Sequence, residues 1–170
     1  MSKSQKIEDR KKGVNLIKDG CALIDTSSRT KIVKEKSVLA LVSKDFNFTI
    51  MIHSKEKKKI LRRLLKHNNE NRSYHIMHSV KIYYAIKDYI DICPAFYICC
   101  EGFNKGLLKH YLKKIFNNKY HENKINILMS LKPLFGRKNI ADRTAWDVNK
   151  KGKKPTMILK EKHFEKLHLL

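Results

Sequence analysis

The stretch Ala95-Phe96-Tyr97-Ile98-Cys99-Cys100 is an unbroken apolar run of β-prone residues, and it ends on a carboxylate, Glu101. Gly102 follows. From Asn104 to Phe116 the residues Leu107, Leu108, Tyr111, Leu112, Ile115 and Phe116 recur on one stripe at helical spacing. A buried strand that leads directly into an amphipathic helix is a building step of α/β proteins. In open α/β sheets, reacting groups gather beyond the carboxyl ends of strands. Glu101 is therefore the first candidate site residue.

The rest of the chain supplies partners for that strand. Cys21 to Ile24 is apolar and meets Asp25, and Thr26-Ser27-Ser28 bends away. Val38 to Val42 is a compact apolar run, Ser43-Lys44-Asp45 is a turn, and Phe46, Phe48, Ile50 and Ile52 then alternate at period two. The short break between these two runs predicts an antiparallel hairpin. Ile60, Leu61, Leu64 and Leu65 predict a helix over 54–66, and a second helix is expected over 74–89 with Ile76, Val80, Tyr83 or Tyr84, and Ile86 or Ile90 inward. Pro94 closes that region. Ile125 to Met129 reads as a fifth strand, Pro133 and Gly136 bracket a turn, and 139–150 reads as a helix carrying Asp142. Residues 156–159 suit a short strand and 161–167 a last helical turn. The expected organisation is a basic N-terminal arm over 1–19, loose or forming a weak leading strand, a domain over 20–150, and a basic C-terminal extension over 151–170. The element order predicts a mixed five-stranded sheet with three leading antiparallel strands, flanked by helices.

Charge narrows the partners. Lys and Arg number 38 against 16 Asp and Glu, a formal +22 in 170 residues. Such an excess repels itself and favours polyanions, nucleic acid first and an anionic membrane surface second. Basic runs fall at 55–59, 62–63, 113–114 and 150–154. The N-terminus lacks the apolar core of a secretory signal, and no run approaches the ~18–20 apolar residues of a spanning helix. A cytoplasmic protein without stable membrane insertion is expected. Cys21, Cys93, Cys99 and Cys100 contain no CxxC pair, so buried reduced thiols are expected, with Cys99 and Cys100 on opposite faces of their strand. His75 and His78 lie three apart on a helix without a third ligand and read as ordinary helix residues. Trp146 reads as core.

The order of elements from about Cys21 to Lys150 is similar to the ribonuclease H-like (retroviral-integrase-like) superfamily, as a divergent microbial member. Asn139-Ile140-Ala141-Asp142-Arg143-Thr144-Ala145 resembles the Ala-Asp-x-x-Ala pattern of the late helix in several members. The resemblance implies an acid on the first strand, a second after the fourth strand and a third on the last helix, which fall here on Asp25, Glu101 and Asp142. It implies a magnesium- or manganese-dependent nuclease acting on RNA/DNA hybrid, duplex or branched nucleic acid, with Asp25, Glu101 and Asp142 as both catalytic residues and metal ligands. Two cations roughly 3.5–4 Å apart can clamp the attacking and leaving oxygens of a phosphodiester, and such hard ions take carboxylate ligands. Arg29, Lys31, Lys105, Arg137, Lys138, Arg143, Lys150 and Lys151 are the expected phosphate contacts. Asn139 is placed to touch a metal-bound water.

Other readings stand beside this one. Asp25 is also a good turn starter, and Glu101 and Asp142 both suit a helix N-terminus. Asp147 is a rival to Asp142, but at five residues' distance it cannot share its face. No fourth acid of ribonuclease H proper is evident among Glu56, Asp88 and Asp91, and Asp25-Thr26-Ser27-Ser28 is not the Asp-Glu-x-Gly motif of the type 2 enzymes. The alternative to a nuclease is a non-catalytic nucleic-acid-binding domain of the same fold. A third reading is a basic interaction module for a ribonucleoprotein or an anionic surface.

Overall fold

The computed structural model describes residues 3–27, 33–136 and 139–170, apart from the side chains of 3–7, 9–11 and 118. Among them, α1 (Lys3–Lys18) leads into β1 (Ala22–Ser27), β2 (Ser37–Val42) and β3 (Asn47–Ile52). Then come α2 (Ser54–Leu64), α3 (Glu70–Ile86), β4 (Phe96–Cys99), α4 (Lys105–Phe116), β5 (Ile125–Leu128), α5 (Lys132–Phe135) and α6 (Ile140–Lys150). A two-residue strand β6 (Met157–Ile158) and α7 (Glu161–Glu165) complete it.

The sheet is mixed and six-stranded, in the order β5-β4-β1-β2-β3-β6. The leading strands β1, β2 and β3 are antiparallel neighbours, as their turn-separated apolar runs predict. β4 lies parallel to β1 and β5 parallel to β4, with α4 as the crossover between them. The apolar run at 95–100 is thus a strand buried between two others, next to Asp25's strand.

The expected five-stranded sheet is corrected to six strands, because the short strand expected over 156–159 forms and joins it as β6. β6 lies parallel to β3, and Thr49 and Thr156 secure the join by exchanging bonds. Thr49 N–H donates to Thr156 Oγ1 at 3.1 Å, and Thr156 N–H donates to Thr49 Oγ1 at 2.9 Å. An open edge strand offers unpaired backbone groups to other chains, and this short strand covers part of that edge. α7 then buries Phe164 completely, while Glu161 and Glu165 pair with Arg63 of α2.

The N-terminal stretch is also corrected, from a loose arm or leading strand to the helix α1. Gly13 lets it approach α5 very closely: a Cβ at that position would fall 2.0 Å from the Leu134 carbonyl oxygen.

The two faces of the sheet carry separate cores. Ala22, Ile24, Leu39, Leu41, Ile50 and Ile52 pack with residues of α2, α3, α4 and α7. Leu23, Val38, Ala40, Val42 and Met51 pack with Ala141, Ala145 and Val148 of α6. Asp25, next in the alternation after Leu23, belongs to the α6 side. Cys99 faces that same side and Cys100 the other, as strand geometry requires.

Candidate acidic cleft at the strand ends

Asp25 is held in place from two directions. Thr26 N–H donates to its Oδ1 at 2.8 Å, and the Asn139 amide donates to its Oδ2 at 2.8 Å. Asn139 is itself the N-cap of α6, with its Oδ1 accepting the Asp142 N–H at 2.9 Å. One side chain therefore fixes the first acid and the backbone of the third. Farther along α6, Asn149 donates to Ser27 Oγ at 3.2 Å, a second tie between α6 and β1.

The strand β4 ends one residue before Cys100, whose N–H still bonds the Leu128 carbonyl at 2.9 Å. Glu101 opens the turn that follows, and Gly102 takes a φ of +83° there, a backbone region natural to glycine. The loop is anchored from α3. His75 Nε2 accepts the Asn104 N–H at 2.8 Å, and the ring of His78 stacks on Phe103 with centroids 4.2 Å apart. The two histidines are therefore buried helix residues that support the Glu101 loop. Sequence reading placed them on a helix without this task, because their partners lie some 25 residues or more away in the chain.

Asp25, Glu101 and Asp142 all line one cleft of about 220 Å³, together with Thr26, Cys99, Ser130, Leu131, Lys132 and Asn139. Burial pushes the Asp25 carboxyl above its ordinary value; the bonds from Asn139 and Thr26 oppose this, and the nearby charge of Asp142 adds to it. Cys99 hydrogen-bonds to the same carboxylate, and burial together with the Asp25 charge pushes its thiol up to about 12. It is a neutral donor at physiological pH and no nucleophile. Asp147 lies outside this cleft and is paired with Lys151 and Lys153.

Glu101 is the outlying member. Its side chain is 68% exposed, and Lys132 Nζ stands 4.0 Å from its Oε1. Among the described residues no three His, Cys, Asp or Glu side chains stand close enough to share one metal ion. The cleft nevertheless offers a hard oxygen donor set. Magnesium is commonly held by only one or two carboxylates, with water and substrate phosphate completing its shell. The Asp25–Asp142 pair fits that requirement, since the Asp25 carboxylate feels the Asp142 charge, and a cation there would relieve the cost of burying Asp25.

Of the expected phosphate contacts, Lys105, Arg143, Lys150 and Lys151 are exposed. Arg29, Lys31, Arg137 and Lys138 lie outside the described residues. Lys57, from the 55–59 basic run, is fully buried and so leaves that surface. Trp146, expected in the core, is 46% exposed on α6. The helix turns Ala141, Ala145 and Val148 inward instead, so the indole falls on the outer face. No helix among the described residues is long and apolar enough to cross a membrane. No protein-family model, curated protein or solved structure matches the chain.

Proposed function

We propose that this protein is a metal-dependent nuclease of the ribonuclease H-like superfamily, hydrolysing phosphodiesters in RNA/DNA hybrid or structured nucleic acid. The observation that carries the reading is the meeting of Asp25, Glu101 and Asp142 in one cleft. They come from the first strand, the turn after the fourth strand and the last long helix, the placements that the family resemblance implies. The mixed sheet with antiparallel leading strands and the net charge of +22 support it further.

Asp25 and Asp142 would hold magnesium or manganese, with Glu101 adding an oxygen donor from the rim. Such an ion polarises a phosphoryl oxygen and generates a nucleophile from water at neutral pH. The protein's own residues prepare that chemistry. Asn139 fixes the Asp25 carboxylate and the start of α6 together. The Cys99 thiol and the Thr26 N–H donate to Asp25 without adding charge and leave it acceptor capacity for a cation. Lys132 at the rim and the exposed cations of α6 would hold substrate phosphates, in a sequence-blind and salt-sensitive manner.

The test is cleavage of labelled hybrid, duplex and branched substrates with magnesium or manganese, beside Asp25→Asn. Asp25→Asn removes the charge that burial and Asp142 disfavour but turns an NH2 toward either the Thr26 N–H or the Asn139 amide, so its fold is checked by thermal melting beside its cleavage. Its cleavage should fall by at least about a hundredfold, the scale of losing several kcal/mol of charge stabilisation. Activity unchanged by the substitution would overturn the mechanism. A second reading, a binding domain of the same fold without catalysis, is favoured by the outward position of Glu101 beside Lys132. Salt-sensitive binding without cleavage of any substrate would select it.

A further inference from the structure

A second recess adjoins the acidic cleft on the outer face of α6. It measures about 530 Å³ and is lined by Asp142, Arg143, Trp146, Asp147 and Lys151. Asp142 lines both spaces, so each borders that residue. Trp146, the sole tryptophan of the chain, stands one helical turn beyond Asp142. Lys151 Nζ lies 5.1 Å from the centroid of its ring, and Arg143 is exposed three residues before it.

A single exposed apolar side chain is ordinary on a protein surface. The setting of this one is not. The inward face of α6 is filled by Ala141, Ala145 and Val148, so the indole contributes little to that core. It sits in a recess whose other walls are charged, next to the candidate reacting acid. An aromatic face with cations in the same recess is the combination that single-stranded nucleic acid meets in its binding grooves: bases stack on the ring and phosphates pair with the cations. A continuous duplex keeps its bases stacked on one another and offers no free face to the indole.

We propose that Trp146 is a stacking platform for an unpaired nucleobase, with Arg143 and Lys151 holding the flanking phosphates. This rests on the nucleic-acid reading above and narrows it, because it makes the substrate a strand carrying an unpaired nucleotide beside the Asp142 cleft. Lys151 is shared between Asp147, at 3.1 Å, and the indole. A phosphate would draw on the same ammonium.

The test titrates the full chain with a short single strand, and with the matched duplex, at low salt and with divalent ions chelated. Trp146 emission and the anisotropy of a label on the strand are read together. Emission should be quenched by the single strand and little changed by the duplex. Trp146→Ala should weaken single-strand binding about tenfold, the effect of losing one stacked base, and leave duplex binding within about twofold. Trp146→Phe should retain most of the affinity. Single-strand binding with unchanged emission and an unaffected Trp146→Ala variant would overturn the stacking role while leaving the nucleic-acid reading intact. No binding of either strand form would overturn both.

Discussion

At the scale of single residues, Asn139 carries more of the site than any charged group. Its carbonyl oxygen caps α6 and its amide nitrogen restrains Asp25. The two roles can be separated. Asn139→Ala removes both, and loss of an N-cap alone costs about 1 kcal/mol. Asn139→Asp keeps a capping oxygen but sets a second carboxylate against Asp25, whose own charge burial already disfavours. Both variants should therefore be less stable than the parent at neutral pH. The aspartate variant should recover more on acidification, because it adds a second carboxyl beside the raised Asp25, and such groups regain stability as pH falls through their folded values. Urea midpoints at neutral and mildly acidic pH distinguish them; equal losses at both pH values would contradict the proposed contact.

At the scale of elements, two helices are defined by what surrounds them more than by their own pattern. α3 is buried on nearly every side from Ser73 to Ile86. It lies against the sheet and is flanked by α2 and α4, so it shows no clean amphipathic stripe, as expected for a helix enclosed all round. α1 depends on Gly13. Alanine favours a helix interior by roughly 1 kcal/mol over glycine. Here the added methyl would meet a backbone carbonyl at 2.0 Å, which must move. Overpacking costs typically about 1–3 kcal/mol, so the steric term should win. Gly13→Ala is expected to lower stability by about 1 kcal/mol or more in chemical denaturation, and a stabilised variant would show that α1 does not dock against α5 as described.

At the scale of the whole molecule, the protein combines a basic exterior with cationic groups inside it. Lys81 is fully buried and donates to Ser37 Oγ at 2.7 Å; burial and the charge of Lys57 hold its ammonium well below the ordinary lysine value. Lys57 is lowered to about 8, chiefly by burial. His78 is buried, and burial, with Lys81 and His75 nearby, holds it well below its usual value against a backbone bond to Cys99. Groups whose folded pKa is depressed leave the unfolded chain binding more protons, so stability rises with pH through the window between the two values. For His78 that window lies below about 6.5, and stability should fall as pH drops through it. For Lys57 it opens near 8 and runs toward about 10.4, and the depressed Lys81 adds to the same limb, so stability should rise from pH 8 upward. Thermal melts across both windows test this. His78→Phe should flatten the acid limb while sparing the alkaline one, and an unchanged acid limb would show that His78 is not its source.

The local patterns were sufficient for much of the framework. The apolar run at 95–100, the period-two alternation at 46–52 and the stripe from Leu107 to Phe116 depend on neighbours a few residues apart, and each forms the expected element. The three candidate acids were legible for the same reason: Asp25 follows the apolar stretch of β1, Glu101 follows β4, and Asp142 lies in the first turn of α6. Other features depend on contacts far apart in sequence. The sixth strand forms because Thr156 can exchange bonds with Thr49, and α1 docks because Gly13 meets Leu134. Trp146 is outside because the small residues of α6 fill the space against the sheet. The sequence by itself determined the order of the strands and of most helices from β1 onward and marked three candidate acids, through local hydrophobic periodicity and turn chemistry. Tertiary packing alone decided that Asn139 joins Asp25 to α6, that Glu101 stands at the rim, and that the tryptophan faces outward from α6, because each depends on how separate elements pack and no local pattern encodes it.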